Sequence, residues 1–327
     1  MKAVLLGTLV TGYAKDIADQ VKTPWTITTL PDGFSQDELK AALVDADMVS
    51  PIGWNAQMPP APKLKLVQVA GAGTDAVDMA SVPPQVTVCN AFGHEGAIGE
   101  YVVMAMMAWC HEFPKLSREL DKGFMRHEDR ANLTHHGEID GKTVGVLSLG
   151  RIGKAVAEKA NALGARVVGC NRSPLKTAPK GVDAMVPWED KGRMFAECDF
   201  VVVTTALSAE TKGLVGAALL GRMKPTGVIV NVARGAVIDE DALYAALAGN
   251  RIGGGIIDVW WSYPSAANPE APPSRHPFHK LPNVILTPHS SGWTTGMRRR
   301  RAGQIAANLD HLARGEPLDN VVRPPKA

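Results

Sequence analysis

What this 327-residue chain lacks narrows its class before any motif is read. Neither sign of charge dominates: 35 Lys and Arg face 33 Asp and Glu, a net charge of +2, so no global field recruits nucleic acid or a membrane surface. The only cysteines, Cys89, Cys110, Cys170 and Cys198, are far apart and show no metal-type pairing. They read as small buried hydrophobes in a reduced, cytoplasmic setting, and no metal site is expected. No apolar run reaches the roughly 18 residues a membrane helix needs. The opening MKAVLLGTLV is too short for a signal peptide and reads as a first strand. Low-complexity tracts are absent as well. What is present is an ordinary globular composition, 45% apolar, at a length sufficient for two domains with a core each.

Short apolar runs alternate with helix-period segments along the whole chain. Strands are expected at residues 3–9, 48–52, 64–70 and 86–89, with a helix over 36–45. A long, Met-rich apolar helix is expected over 99–120, broken near Pro114, its Met stripe serving core packing. The second half continues with strands at 200–204, 227–232, 253–259 and 284–287. Helices are expected at 216–223, 240–248 and 295–313 between and after them. Strands alternating with helices predict α/β architecture: two doubly wound, Rossmann-like parallel sheets with a cleft between them. The last helix has no strand to follow it in the second half and is expected to return to the first. Its run Arg298-Arg299-Arg300-Arg301 points in different directions around a helix, so it reads as a solvated or interface face, with no nucleic acid as partner.

The chain is organised around GKTVGVLSLGRIGKAVAEKANALGARVVGCNRSP, Gly141 to Pro174. It reads as a strand over 143–149, a glycine turn Gly150-Arg151-Ile152-Gly153, a helix over 154–163 ended by Gly164, and a strand over 165–170. That βαβ unit is the kind that binds a dinucleotide, with the pyrophosphate on the helix N-terminus. Ser148 stands where the first glycine of G-x-G-x-x-G is expected.

Four ordered motifs then fix a resemblance. Gly150-Arg151-Ile152-Gly153, Asn231-Val232-Ala233-Arg234-Gly235, Gly255-Ile256-Ile257-Asp258-Val259 and Leu281-Pro282-Asn283-Val284-Ile285-Leu286-Thr287-Pro288-His289 resemble the signatures of the D-isomer-specific 2-hydroxyacid dehydrogenases. Val69-Ala70-Gly71-Ala72-Gly73-Thr74-Asp75 and Asn90-Ala91-Phe92-Gly93 are similar to that family's substrate-domain motifs. The resemblance implies a flavodoxin-like substrate domain built from residues 1–96 and 291–327 and a Rossmann domain over 97–290. It also implies a homodimer, a small 2-oxo or 2-hydroxy acid as substrate, and Ser148, Thr205, Ala233 and Asp258 in the cofactor site. In the family the histidine matched by His289 donates the proton and the arginine matched by Arg234 orients substrate.

The residues themselves suit that chemistry. Arg234 is a permanently charged fork fitted to a carboxylate and a carbonyl oxygen. His289, following a strand end, is the side chain best matched to proton transfer near neutral pH. The amides of Ala70, Gly71, Ala72 and Gly73 suit a backbone nest for the substrate carboxylate. Trp54, Trp260, Trp261 and Trp293 fall near these motifs; they point to an aromatic substrate pocket or to core packing, with Trp54 placed among the substrate-binding residues.

Two departures from the family stand out. Its usual glutamate, five residues after the aspartate, is here Tyr263, where the related formate dehydrogenases carry glutamine. Tyr263 is therefore the positional partner of His289, and Glu270, in a longer insertion, is the alternative. The acidic residue expected eighteen positions past Gly153 is Asn171, followed by Arg172 and Ser173. Removing that carboxylate and adding a guanidinium suits a 2′-phosphate, so NADP(H) is preferred, with NAD(H) as the alternative cofactor. The sequence thus points to a dehydrogenase that reduces a 2-oxo acid, glyoxylate and hydroxypyruvate reductases being the nearest family types. The rivals are formate-dehydrogenase-like oxidation and a nucleotide-sensing protein without turnover.

Overall fold

The computed structural model describes residues 1–119, 135–264 and 268–326. The chain divides into two compact units, Met1–His94 with Trp293–Ala327, and Glu95–Gly292. Each unit is built on one sheet.

The first unit carries β1 (Lys2–Leu6), β2 (Thr26–Leu30), β3 (Met48–Ser50), β4 (Leu66–Gln68) and β5 (Thr87–Cys89), with β13 (Val321–Arg323) from the far end of the chain. Their spatial order is β13-β5-β4-β3-β1-β2. All pairings are parallel except β13 on β5, an antiparallel edge on an otherwise doubly wound sheet. Helices α1 (Thr8–Thr11), α2 (Ala14–Ala18), α3 (Gln36–Leu43) and α10 (Thr295–Arg314) cover the faces. The run at 3–9 is not one strand: Gly7, at φ 84°, ends β1, and Thr8 begins a helical turn whose amide the Asp32 carboxylate accepts at 3.1 Å. α3 opens with a capping box, in which Ser35 Oγ accepts from Glu38 N at 3.2 Å and Glu38 Oε2 from Ser35 N at 2.7 Å. α10 runs from the Thr294 N-cap to a left-handed Gly315 and buries Ala302, Ile305, Ala306 and Leu309 against Val10, Tyr13 and Ile17. Its arginines are not a free solvated row: Arg298 pairs with Asp16, Arg300 donates to Gly93 O, and Arg301 reaches Tyr13 and His94.

The second unit carries β6 (Thr143–Leu147), β7 (Arg166–Cys170), β8 (Ala184–Val186), β9 (Phe200–Val203), β10 (Val228–Asn231), β11 (Gly254–Ile257) and β12 (Val284–Leu286), all parallel, in the order β12-β11-β10-β9-β6-β7-β8. The order reverses between β6 and β9, the switch point at which doubly wound sheets open a crevice at their strand C-termini. Alternate residues leave on opposite faces. Phe200 and Val202 join one core with α4 (Glu95–Cys110) and α6 (Arg151–Ala162). Val201 and Val203 join the other with α7 (Lys191–Glu197), α8 (Ala217–Leu220) and α9 (Glu240–Ala248). Both faces are therefore apolar, and the strands read as unbroken hydrophobic runs.

The long apolar helix begins at Glu95 and ends at Cys110, with α5 (Phe113–Glu119) following; the expected end at Leu120 lies outside the described residues. Its methionines divide, Met106 in the core and Met104 exposed. β2, β8 and α7 have no counterpart in the expected pattern: β2 reads TITTL, half-exposed threonines without a clear period, β8 is only three residues long, and α7 mixes charged and apolar residues over seven. All four cysteines are buried and free. Among the described residues no helix is long and apolar enough to cross a membrane.

Trp109 lies flat over the start of β11, where an added Cβ on Gly254 would stand 1.9 Å from its Cη2. Gly254→Ala is expected to lower unfolding free energy by about 1–3 kcal/mol through overpacking, and by less when it is added to a Trp109→Leu protein, as measured by urea denaturation.

Candidate functional site

The turn after β6 differs from the expected glycine loop in where the helix starts. α6 begins at Arg151 with Gly150 as its N-cap, so Ile152 and Gly153 belong to its first turn. No side chain caps this end and no acidic residue lies in the first turn, which leaves its amides and the helix dipole directed past the end of β6. A Cβ on Gly150 would meet no protein atom within 4 Å, so this glycine keeps the backbone open to a ligand. Gly153 answers to packing instead: a Cβ there would lie 2.1 Å from Ser148 O. Ser148 holds φ 81°, a conformation that favours glycine, and it is pinned there from β9. Thr204 Oγ1 donates to Ser148 O at 2.6 Å, and the Thr205 hydroxyl donates to Leu147 O at 3.0 Å. With its only proton used, Thr205 Oγ1 accepts from Ser148 Oγ at 2.9 Å.

At the end of β7, Asn171 Oδ1 accepts from Leu149 N at 2.9 Å and its Nδ2 donates to Ser173 O at 2.7 Å. Its amide braces the glycine turn, which is a structural use of the position where an acidic residue is expected. Arg172 is exposed and ion-paired with Glu210, on the loop after β9. Glu210 is a residue that sequence reasoning missed, since 38 positions separate the pair.

β10 delivers Arg234. Asn231, buried at the strand end, donates Nδ2–H to Arg234 O at 3.1 Å and accepts from Ala233 N at 3.1 Å, which closes the Asn-Val-Ala-Arg turn. Ala233 is buried beside it, and Arg234 donates to Ala233 O at 2.8 Å. The neighbouring Gly235 lets the chain after β11 approach, for a Cβ would sit 2.3 Å from Trp260 C and O.

Asp258 directly follows β11 and has no exposed surface. Its carboxylate accepts from Thr287 Oγ1 at 2.6 Å, Ser290 N at 2.8 Å and Ser291 N at 3.1 Å. Asp258 thereby holds the turn after β12, and His289 sits on that turn at φ 58°. Burial depresses the His289 pKa, with the positive charge of Arg234 adding to the fall and Asp258 opposing it. The Tyr263 ring lies against the imidazole, centroids 5.5 Å apart, and its hydroxyl accepts from Trp260 N at 3.0 Å. Burial raises the Tyr263 pKa, so the phenol is neutral. Glu270 stands exposed on a turn, forms no hydrogen bond or ion pair with a described residue, and exerts no charge effect on His289. Residues 265–267, within the insertion, lie outside the described residues.

Trp260 and Trp261 serve packing. Trp260 Nε1 donates to Thr287 O at 2.9 Å, Trp261 Nε1 donates to Ile238 O at 2.9 Å, and Trp261 stacks on Phe278 with centroids 5.3 Å apart. Trp54 is 4% exposed in the core of the first unit, whereas Trp293 is exposed.

In the first unit, Ala70, Gly71, Ala72 and Gly73 follow β4 half-buried. Their carbonyls are held from β5, Gly71 O by Ala91 N at 3.0 Å and Ala72 O by Asn90 Nδ2 at 2.8 Å, while their own amides donate to no described residue. Gln68 and Asn308, both buried, support this loop: Gln68 Nε2 donates to Asn90 O at 3.1 Å, and Gln68 Oε1 accepts from Asn308 Nδ2 at 2.7 Å.

Residues 103–291 match the family model described as D-isomer specific 2-hydroxyacid dehydrogenase, NAD binding domain. D-3-phosphoglycerate dehydrogenase of Mycobacterium tuberculosis (strain ATCC 25618 / H37Rv) is 32% identical over 314 residues, covering 94% of this chain and 56% of the relative. The chain thus spans about half the length of the curated phosphoglycerate dehydrogenases it matches. Among solved structures, a 2-hydroxyacid dehydrogenase of Ketogulonicigenium vulgare Y25 is 27% identical with a TM-score of 0.82, covering 99% of both chains. A D-isomer specific 2-hydroxyacid dehydrogenase of Xanthobacter autotrophicus Py2, in complex with NADPH and MES, is 26% identical with a TM-score of 0.76, covering 98% of this chain and 97% of that one.

A methyl group at Gly153 forces α6 away from Ser148 O. Gly153→Ala is therefore expected to weaken NADPH binding at least tenfold in a fluorescence titration while far-UV circular dichroism stays at wild-type intensity; unchanged affinity contradicts this use of the turn.

Proposed function

The chain belongs to the D-isomer specific 2-hydroxyacid dehydrogenases, and on that premise we propose that it is an NADP(H)-preferring reductase of a 2-oxo acid to the D-2-hydroxy acid. The observation that carries the reading is the grouping at the strand ends of the second unit. The charge of Arg234 acts on both His289 and Tyr263, each of which is also within the field of Asp258. An always-charged fork and a half-buried imidazole with a neutral phenol against it supply the cation and the proton carrier that reduction of a 2-oxo acid needs.

In this reading Arg234 binds the substrate carboxylate and polarises the carbonyl oxygen. His289 carries the proton that the carbonyl oxygen takes up. Tyr263 shields the imidazole from water and, being neutral, does not hold it protonated. When bound, the dinucleotide supplies the hydride; the uncapped start of α6 meets its pyrophosphate. Arg172 turns from Glu210 to the 2′-phosphate, and the NADPH held by the Xanthobacter relative supports the same preference.

The reaction consumes a proton through a histidine whose pKa is depressed below 6.5. Reduction requires the protonated form, so its kcat/KM is expected to fall as pH rises through that low pKa, while oxidation of the D-hydroxy acid, which requires the neutral form, is lost only below it. Tyr263→Glu is expected to move the inflection up by about 1 unit or more. A wild-type inflection above the usual histidine range, or none in Tyr263→Glu, contradicts the assignment. The formate-oxidising rival needs no proton on His289, and turnover of formate without turnover of any 2-oxo acid in the same panel identifies it.

For the cofactor, kcat/KM with NADPH is expected to exceed that with NADH. Arg172→Ala is expected to remove about tenfold of the NADPH value and little of the NADH value. Glu210→Gln, by freeing Arg172, is expected to raise the NADPH value. Equal constants for the two cofactors in the wild type end the preference.

A further inference from the structure

We propose that Tyr101 is a positioning residue for His289, acting through Thr287 and the buried Asp258 carboxylate on the turn that carries the imidazole. The proposal rests on the reading of His289 as the proton-bearing group. Its geometry lies wholly within the second unit.

The chain of hydrogen bonds has only one possible polarity. Both Asp258 oxygens accept, Oδ1 from Ser290 N and Oδ2 from Ser291 N, and the Thr287 hydroxyl donates its single proton to Oδ1 at 2.6 Å. Thr287 Oγ1 also lies 2.6 Å from Tyr101 Oη. The proton in that contact must therefore come from the phenol. Burial pushes the Tyr101 pKa up to about 12, so the phenol keeps its proton throughout the working range and donates permanently. The relay runs from α4, through Thr287, to a carboxylate that also takes the amides of Ser290 and Ser291. Trp260 Nε1 holds Thr287 O from the other side at 2.9 Å.

The turn needs such holding. His289 sits at φ 58°, a left-handed conformation costing a non-glycine residue about 1 kcal/mol or more, which persists only where surrounding contacts over-determine it. Hydrogen bonds to Thr287 on one side and to Ser290 and Ser291 on the other bracket the histidine, and both sets converge on Asp258. The charged groups acting on His289 are Asp258 and Arg234, with the neutral Tyr263 ring against it. Among the described residues the Tyr101 hydroxyl bonds to Thr287 and to none of the groups assigned to substrate, so its effect has to pass through the relay. When Tyr101 no longer donates, the Thr287 hydroxyl is less polarised and neutralises the carboxylate less, and the stronger negative charge favours the imidazolium.

The test uses the full chain with Tyr101→Phe, Thr287→Val, Thr287→Ser and the Tyr101→Phe/Thr287→Val double change. The His289 titration is followed by NMR of its Cε1–H without cofactor, and kcat and KM are measured with a 2-oxo acid and NADPH. Tyr101→Phe is expected to raise the His289 midpoint and, at a pH below that midpoint where the imidazole is protonated in both proteins, to lower kcat about threefold to tenfold through the loosened turn, with KM and thermal midpoint near wild type. Thr287→Ser, which keeps the hydroxyl, is expected to restore both readouts; the double change is expected to match Thr287→Val alone. A Tyr101→Phe protein with unchanged titration and kcat overturns the proposal, as do effects of the two substitutions that multiply. If wild-type protein reduces no 2-oxo acid, the functional reading fails, while the titration in cofactor-free protein still decides the relay.

Discussion

A carboxylate with no exposed surface must be surrounded by donors, and Asp258 imposes that demand on the end of the second sheet. Its partners come from the turn after β12, so satisfying the charge also shapes the segment that carries His289. Trp260, immediately after the same strand, clamps that turn at Thr287 O and gives its own amide to Tyr263, whose ring lies on the imidazole. One buried charge at a strand end thus orders the candidate proton carrier, its shield and their common support. Leaving any of these donors out would strand a charge in a medium of low dielectric, which is why the arrangement is rigid.

The sheet supplies the frame. Seven parallel strands covered on both faces force every strand end to finish in a turn on the same edge, and the change of direction between β6 and β9 brings the Ser148 turn beside Thr204 and Thr205. Asn231 and Asn171 show a shared solution at two of these edges: a side-chain amide, able to donate and accept at once, closes a sharp turn that backbone groups alone leave unpaired.

Much of this was legible in residues alone. Uninterrupted runs such as FVVV and the ordered glycine, Asn-Val-Ala-Arg-Gly and Thr-Pro-His motifs pointed to two doubly wound sheets and to the family before any coordinates. The edge strand TITTL was hidden because half-exposed threonines carry no clear period, and the first helical turn at Thr8 because an apolar run of seven residues does not distinguish strand from strand-plus-turn. The start of α6 lies three residues before the position its glycines suggest, because Gly153 is a helical residue that is glycine for want of space beside Ser148 O.

What the sequence determined by itself was therefore the set of chemically able residues and the architecture, since both rest on local composition, period and spacing. Only the tertiary structure decided which of them meet. It set Tyr263 rather than Glu270 on His289, paired Arg172 with Glu210, turned Trp260 and Trp261 to packing, and ran Tyr101 through Thr287 to Asp258. Those pairings join residues 26 to 186 positions apart, and they follow from strand order and the need to satisfy buried polar groups, neither of which is written in any local pattern.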